Sequence, residues 1–331
     1  MHGVKRVKQT PEALEAKRQK ERAKIHEFLD LSDKLLTRRK DSDFSEESFK
    51  LTTRLLHINP EFYTIWNFRR NILTNGLFPG STQEKVNNIL AGELMMTMTA
   101  LKSHPKVYWI WNHRRWCLEN VPFGPGEEGS ETYQQWRTAA WDNELFVVER
   151  LLDADARNFL AWGYRRYVLA SMPVPRSDAS ELAYTTKKIG ANFSNFSAWH
   201  QRSKVLTKLW ADGTLNEKTS REAEFDLVTN AMYTEPADQS VWVYHRWLVG
   251  SNPGKSLLLR EIKSIGELLE EQPDSKWCME SIVHYARIFL KLYPEDGAAA
   301  GLRERTHQLL RELQELDPFR RQRYIDLRTT V

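Results

Sequence analysis

Five tryptophans, Trp66, Trp111, Trp162, Trp199 and Trp242, stand in one recurring local pattern, and that repetition constrains the fold more than any other feature of the chain. Three copies carry both arginines: Asn59-Pro60 to Trp66-Asn67-Phe68-Arg69-Arg70, His104-Pro105 to Trp111-Asn112-His113-Arg114-Arg115, and Asp155-Ala156 to Trp162-Gly163-Tyr164-Arg165-Arg166. Two are partial, Asn192 to Trp199-His200-Gln201-Arg202 and Glu235-Pro236 to Trp242-Val243-Tyr244-His245-Arg246. A weaker sixth begins at Gln272-Pro273, with Met279 at the tryptophan position and Trp277 two residues early. Intervals of this length suit a unit of two helices better than a propeller blade, because strand signals are missing from the sequence.

Each unit therefore reads as a helical hairpin. Before the second motif, Val86, Leu90, Leu94, Met98 and Leu101 recur at three- or four-residue steps after Ser81-Thr82, a ready N-cap. Proline fixes its own φ and disfavours helix at the residue before it, so each Asn-Pro or His-Pro pair closes one helix and opens the next. The tryptophan rides on that second helix. Trp66 with Arg70, Trp111 with Arg115, Trp162 with Arg166 and Trp242 with Arg246 are four apart and share a face; Trp199 has Arg202. The indole is expected to bury against the neighbouring hairpin while the guanidinium covers a ring, worth about 0.5–2 kcal/mol if desolvated, or reaches a carboxylate. A constant contact between repeats accounts for these residues without any catalytic role.

Composition narrows the function. A net charge of +4 is too small for a dedicated nucleic-acid binder, and no apolar run approaches the length of a membrane span. Cys117 and Cys278 sit in apolar or aromatic segments, which argues against a disulfide framework and for a reducing, cytoplasmic setting. The sequence divides into an N-terminal segment and charged helix over residues 1–40, opened by Thr10-Pro11-Glu12, and a single helical-repeat domain over 41–331. Loops are expected at 123–129, 172–176 and 250–254. His104, His113, His200 and His245 form no His-x3-His or Cys-x2-Cys cluster, so core or hydrogen-bonded roles are expected of them, and no Gly-rich phosphate loop or nucleophile elbow is present. By itself the chain is expected to be inactive.

The pattern Pro-x5-Trp-x-x-Arg-Arg, in five clear copies, resembles the repeat of protein prenyltransferase α subunits over nearly the whole chain. Asn192 to His200, Asp238-Gln239-Ser240-Val241-Trp242 and the ending Leu316-Asp317-Pro318-Phe319-Arg320-Arg321 narrow the likeness to the Rab geranylgeranyltransferase, or type II, branch. The resemblance implies an all-α, right-handed, crescent-shaped superhelix of stacked antiparallel helical hairpins, in a compact form without the immunoglobulin-like and leucine-rich-repeat modules of animal relatives. It implies an obligate β subunit carrying zinc, geranylgeranyl diphosphate as co-substrate, and Rab GTPases presented by an escort protein as acceptors of geranylgeranyl on C-terminal cysteines.

The same resemblance assigns a diphosphate-facing role to Lys106, with Tyr108 as the neighbouring aromatic. Arg157 and Phe159 hold the equivalent places in the third repeat, where the others carry Glu61, Ser194 and Ala237. Cations are mildly disfavoured at a helix N-terminus, which favours a bound anion there over a generic structural need. His2 is a candidate transient ligand of the β-subunit zinc. Two alternatives stay open at this point: the shared α subunit of farnesyltransferase and geranylgeranyltransferase type I, acting on CaaX proteins, and a non-enzymatic helical scaffold.

Overall fold

A computed structural model describes residues 10–331, all helix and connecting turn, with no strand among the described residues. Two compact units meet in sequence between Pro175 and Arg176, at one of the loops expected from Pro173 and Pro175. His2 lies outside the described residues.

The first unit holds α1 (Pro11–Lys40), α2 (Glu46–Ile58), α3 (Tyr63–Ile72), α4 (Gln83–Ser103), α5 (Tyr108–Glu119), α6 (Gln135–Ala154) and α7 (Phe159–Ser171). The Thr10 hydroxyl accepts from the Ala13 amide and Pro11 occupies the first turn of α1, whose burial is confined to Leu31, Ser32 and Leu35. Its basic N-terminal half is a solvated face. From α2 onward the helices pair as hairpins α2/α3, α4/α5 and α6/α7, with α3 against α5 and α5 against α7. Thr82 caps α4 through the Lys85 amide, as its sequence suggested.

The second unit continues the alternation with α8 (Asp178–Ala191), α9 (Phe196–Ala211), α10 (Glu217–Thr234), α11 (Gln239–Val249), α12 (Lys255–Glu271) and α13 (Lys276–Leu292), and closes with α14 (Ala299–Leu316) and α15 (Arg321–Arg328). The hairpins are α8/α9, α10/α11 and α12/α13, so the degraded sixth motif does fold as a hairpin, with Met279 buried where the others place tryptophan.

One hydrogen bond explains the Pro-x5-Trp spacing. Each indole is at most 4% exposed, and its Nε1–H donates to the carbonyl six residues earlier: Trp66 to Pro60 at 2.9 Å, Trp111 to Pro105 at 3.1 Å, Trp162 to Ala156 at 2.9 Å, Trp199 to Phe193 at 2.8 Å and Trp242 to Pro236 at 2.9 Å. A buried indole needs an acceptor, and the turn before the helix needs a donor for its carbonyl. The ring then packs on the next motif, with Trp66 4.8 Å from His113, Trp111 4.9 Å from Tyr164 and Trp199 4.6 Å from Tyr244 between centroids.

The two arginines of a motif divide the two expected roles. The carboxylate is reached by the first arginine, three residues after the tryptophan, and not by Arg70 or Arg115. Arg69 is clamped on Glu93 (Nε 2.6 Å, Nη2 2.6 Å), Arg114 on Glu144 (2.7 and 2.5 Å) and Arg202 on Glu224 (2.7 and 2.5 Å), every partner less than a tenth exposed. The third nitrogen finds oxygens one turn apart on the preceding helix: Phe49 and Thr52 for Arg69, Leu94 and Thr97 for Arg114, Leu182 and Thr185 for Arg202. Arg165 is buried at the same position. In α11 His245 replaces arginine, and its Nε2 lies 2.8 Å from Glu261. The second arginines do cover rings, Arg115 at 3.9 Å from the Tyr167 centroid and Arg70 at 5.9 Å from Trp116. At 3.6 residues per turn the two arginines point about 100° apart, one between hairpins and one along their edge.

Each carboxylate thus comes from the first helix of one hairpin and meets the arginine of the hairpin before it. It also meets its own hairpin two residues past the tryptophan: Glu93 with His113 at 2.8 Å, Glu224 with the Tyr244 hydroxyl at 2.6 Å, Glu181 with Gln201 at 3.2 Å. Burial raises the Glu93 pKa, but the bonds from Arg69 and His113 outweigh it and hold the carboxyl down to about 2. Burial likewise pushes His113 down to about 4 against the pull of Glu93. The imidazole is therefore neutral at pH 7, with Nε2–H donating to Glu93 and Nδ1 accepting from Arg70 Nε at 3.3 Å. A hairpin shifted out of register would bury these charges unpaired, at several kcal/mol each, so the ladder fixes which hairpin follows which.

Candidate functional site

Lys106, Tyr108, Arg157 and Phe159 come together at the adjoining turns α4–α5 and α6–α7 of the first unit. Both turns are built alike. The helix ends at His104 or Asp155, whose carbonyl accepts the amide three residues on, from Val107 at 3.3 Å and Asn158 at 3.1 Å. Asn158, 1% exposed, pins the two turns together: its Nδ2 donates to the Pro105 carbonyl at 3.2 Å while its Oδ1 caps α7 through the Leu160 and Ala161 amides. Pro105 O therefore receives both Trp111 and Asn158. The buried motif and the exposed turn are one construction.

On that base Lys106 Nζ lies 3.7 Å from Asp155 Oδ2, with the two side chains 65% and 41% exposed. An ion pair so open to water contributes about 0–1 kcal/mol, and an incoming anion displaces it easily. Asp155 Oδ1 accepts the Arg157 amide at 3.1 Å, which turns the arginine's backbone toward the same edge. Tyr108 and Phe159, 55% and 58% exposed, face each other with centroids 6.2 Å apart. Asp155 and Asn158 escaped the sequence reading; their signal is their place ahead of the third tryptophan, where an Asx side chain can fold back on the next turn.

Exposed aromatics at the first residue of the second helix are a wider pattern: Tyr63 is 53% exposed and Phe196 51%. Tyr63 packs on Trp109 at 5.2 Å. Within the first unit, Tyr63, Tyr108 and Phe159 stand half in water at equivalent positions of three successive hairpins and make an apolar edge, interrupted at the second and third turns by Lys106, Asp155 and Arg157. Such a surface can take an anionic headgroup and an adjoining apolar chain, provided that another body supplies the opposite wall.

The other histidines divide. His113 and His245 are fully buried and bonded to carboxylates, whereas His200 is exposed and lies over Phe196 at 6.4 Å, and His104 is exposed as the residue closing α4. Cys117 and Cys278 are free and buried, and burial pushes the Cys117 thiol far above its ordinary pKa, so it is no nucleophile. Among the described residues no group of three or more His, Cys, Asp or Glu is placed to hold a metal ion, and no helix is long and apolar enough to cross a membrane. The donor set of a zinc site is not met by these residues.

Comparison with known proteins agrees with this architecture. The protein prenyltransferase alpha subunit repeat matches residues 45–76, 90–121, 141–172, 178–209 and 221–252, which are the first five hairpins. The geranylgeranyl transferase type-2 subunit alpha of Schizosaccharomyces pombe is 39% identical, covering 100% of this chain and 98% of the relative. That of Saccharomyces cerevisiae is 35% identical over 99% and 98%. The Homo sapiens subunit is 36% identical over 76% of this chain, but the match spans 42% of the longer human protein. A chain of the solved Candida albicans protein geranylgeranyltransferase-I complexed with GGPP superposes with a TM-score of 0.69 at 19% identity, covering 92% of this chain and 90% of that one, which establishes the fold. With two fungal relatives matched from end to end, the chain belongs to the family of geranylgeranyl transferase type-2 alpha subunits.

Proposed function

We propose that the chain is the α subunit of a heterodimeric protein geranylgeranyltransferase of type II, transferring geranylgeranyl from its diphosphate to C-terminal cysteines of Rab GTPases presented by an escort protein. The observation that carries this reading is the end-to-end likeness to type-2 alpha subunits. It favours the type II enzyme over the shared α subunit of the CaaX enzymes, and the indole-anchored hairpins with a half-exposed aromatic ridge favour an enzyme subunit over a bare scaffold. Zinc belongs to the β subunit in this reading, as the family resemblance implies, and there it would supply thiolate activation.

What this chain contributes is positioning and charge. Asn158 and Trp111 hold the α4–α5 turn rigid, and from it Lys106 reaches the leaving diphosphate as negative charge builds there. Arg157 adds a second cation from the neighbouring turn. Tyr108 and Phe159 form an apolar wall that excludes water once the β subunit covers it, which strengthens both cations. Asp155 holds Lys106 in readiness and releases it to the anion.

The test is an acceptor assay. The chain is coexpressed with type II and type I β subunits, and each pair is supplied with geranylgeranyl diphosphate and either a Rab with its escort protein or a CaaX protein. Dimerisation and transfer with the type II β subunit on the Rab are expected; dimerisation only with the type I partner and transfer to the CaaX protein would overturn the assignment.

A further inference from the structure

The second unit ends in a small cavity that the transferase reading does not use. It lies where α11, α13, α14 and α15 converge, measures about 60 Å³, and presents Arg246, Arg287, Arg323 and His284 together with Glu280 and Tyr324. That volume suits one tetrahedral group, either a free oxyanion or one end of a diphosphate whose other end projects from the mouth, and is too small for a nucleoside or a lipid chain.

Its cations are under-used. Arg246 Nε and Arg287 Nε are both buried and without any hydrogen-bond partner in the structure. Arg287 spends one terminal nitrogen on the Thr330 hydroxyl at 3.1 Å. The repeat shows why Arg246 is left over. In the first hairpin the equivalent Arg70 Nε finds the Nδ1 of His113, but two residues past the buried Met279 the chain has Ser281, too short for that reach, and its own hydroxyl lacks a partner. Buried guanidinium donors left unpaired are rare in folded proteins and call for an acceptor.

Charge points the same way. Three arginines line the cavity against one carboxylate, Glu280, and that carboxylate is occupied by the Tyr324 hydroxyl at 2.6 Å. Asp317 nearby is bonded to Arg320 and lies 3.7 Å from Lys276. The cavity therefore carries an excess of about two positive charges, the complement of a dianion. Burial, and then the charges of Arg246 and Arg287, push the His284 pKa down to about 4, so the imidazole is neutral at pH 7 and adds no charge to the cavity.

We propose that this cavity is a binding site for a phosphate-class oxyanion, orthophosphate or diphosphate, held between the guanidinium groups of Arg246 and Arg287 with Arg323 at the exposed mouth. Planar guanidinium groups recognise such oxygens by paired, charge-assisted N–H···O bonds. The residues that line it all belong to the second unit, whereas Lys106 and Arg157 belong to the first.

The experiment uses the full chain. Inorganic phosphate, pyrophosphate and chloride are titrated calorimetrically at constant ionic strength, and the His284 resonance is followed by NMR as a function of pH with and without phosphate. Because Arg246→Gln or Arg287→Gln can disturb packing, Arg323→Gln at the exposed mouth is the second variant. Saturable one-to-one binding of phosphate or pyrophosphate is expected, weakened about tenfold by Arg323→Gln, with the His284 midpoint at least about one pH unit higher when the anion is bound. Binding of phosphate but not pyrophosphate identifies the monomeric anion, and the reverse identifies the dimeric one. No saturable binding up to about 10 mM of either, binding indifferent to Arg323→Gln, or an unmoved His284 would each overturn the proposal and leave the cavity to water.

Discussion

Breaking one rung of the Arg–Glu ladder, and then removing it altogether, separates a register device from a simple stabilising pair. Arg114 is 1% exposed and its partner Glu144 0%. Arg114→Met strands the carboxylate in the core, and Glu144→Leu strands the guanidinium; each is expected to cost about 3–5 kcal/mol, because an unpaired buried charge has no solvent to replace its partner. In the double variant neither charge remains. The Leu94 carbonyl and the Thr97 hydroxyl lose their donor at 2.6 and 2.9 Å, but Thr97 still donates to the Glu93 carbonyl at 2.8 Å. The double variant should therefore cost only about 1–3 kcal/mol, a coupling of about 6 kcal/mol relative to the sum of the singles. Urea unfolding at pH 7, followed in parallel by tryptophan fluorescence and far-ultraviolet circular dichroism, measures it; both probes are needed because a repeat array can unfold in steps. Costs that add to within about 0.5 kcal/mol would refute the argument that each charge is held by the other.

Lys106→Ala in the heterodimer should lower single-turnover transfer about 10²-fold with assembly unchanged, as loss of a charge-stabilising group does; unchanged turnover removes Lys106 from the mechanism. Trp111→Phe keeps the ring but deletes the bond to Pro105 and should cost about 2 kcal/mol in the same urea series, with a cost near zero showing that the indole donor is dispensable. His113 has its pKa lowered by burial, so the unfolded chain takes up a proton there near pH 6.5 while the folded chain waits until about 4. Its contribution is whole above pH 6.5 and drains as pH falls toward 4, by about 3 kcal/mol. Glu93, held down to about 2, adds its own loss below pH 4.5. His113→Gln should flatten the stability profile between pH 6.5 and 4, and an unaltered slope would contradict the neutral-imidazole assignment.

Much of this fold is legible in the residues because one spacing encodes it. The residue six before tryptophan, proline in three copies and Ala156 or Phe193 in the others, supplies the carbonyl that receives the indole, and Thr10, Pro11 and Thr82 mark helix starts by their own chemistry. That the carboxylate falls to the first arginine was harder to read, for an equally physical reason. Positions three and four after tryptophan both lie on its face, so periodicity alone does not choose between them; Arg202, the single arginine of the fourth copy, was the clue that the first is the buried one. The carboxylates Glu93, Glu144, Glu224 and Glu261 were invisible because they sit on charged amphipathic helices, where glutamate normally faces water. At the turns, Lys106, Tyr108, Arg157 and Phe159 were picked out by resemblance, whereas the ion pair with Asp155 and the Asn158 bridge depend on two hairpins meeting, which no single segment records.

On the proposed function, this chain does no chemistry until a partner covers its aromatic and cationic edge. Purifying it alone and with the type II β subunit, then measuring mass by light scattering, bound zinc by elemental analysis and geranylgeranyl transfer on the same samples, tests that claim most directly. A one-to-one complex that holds zinc and transfers lipid is expected, and an isolated chain that does neither. An isolated chain with stoichiometric zinc and turnover of its own would contradict it.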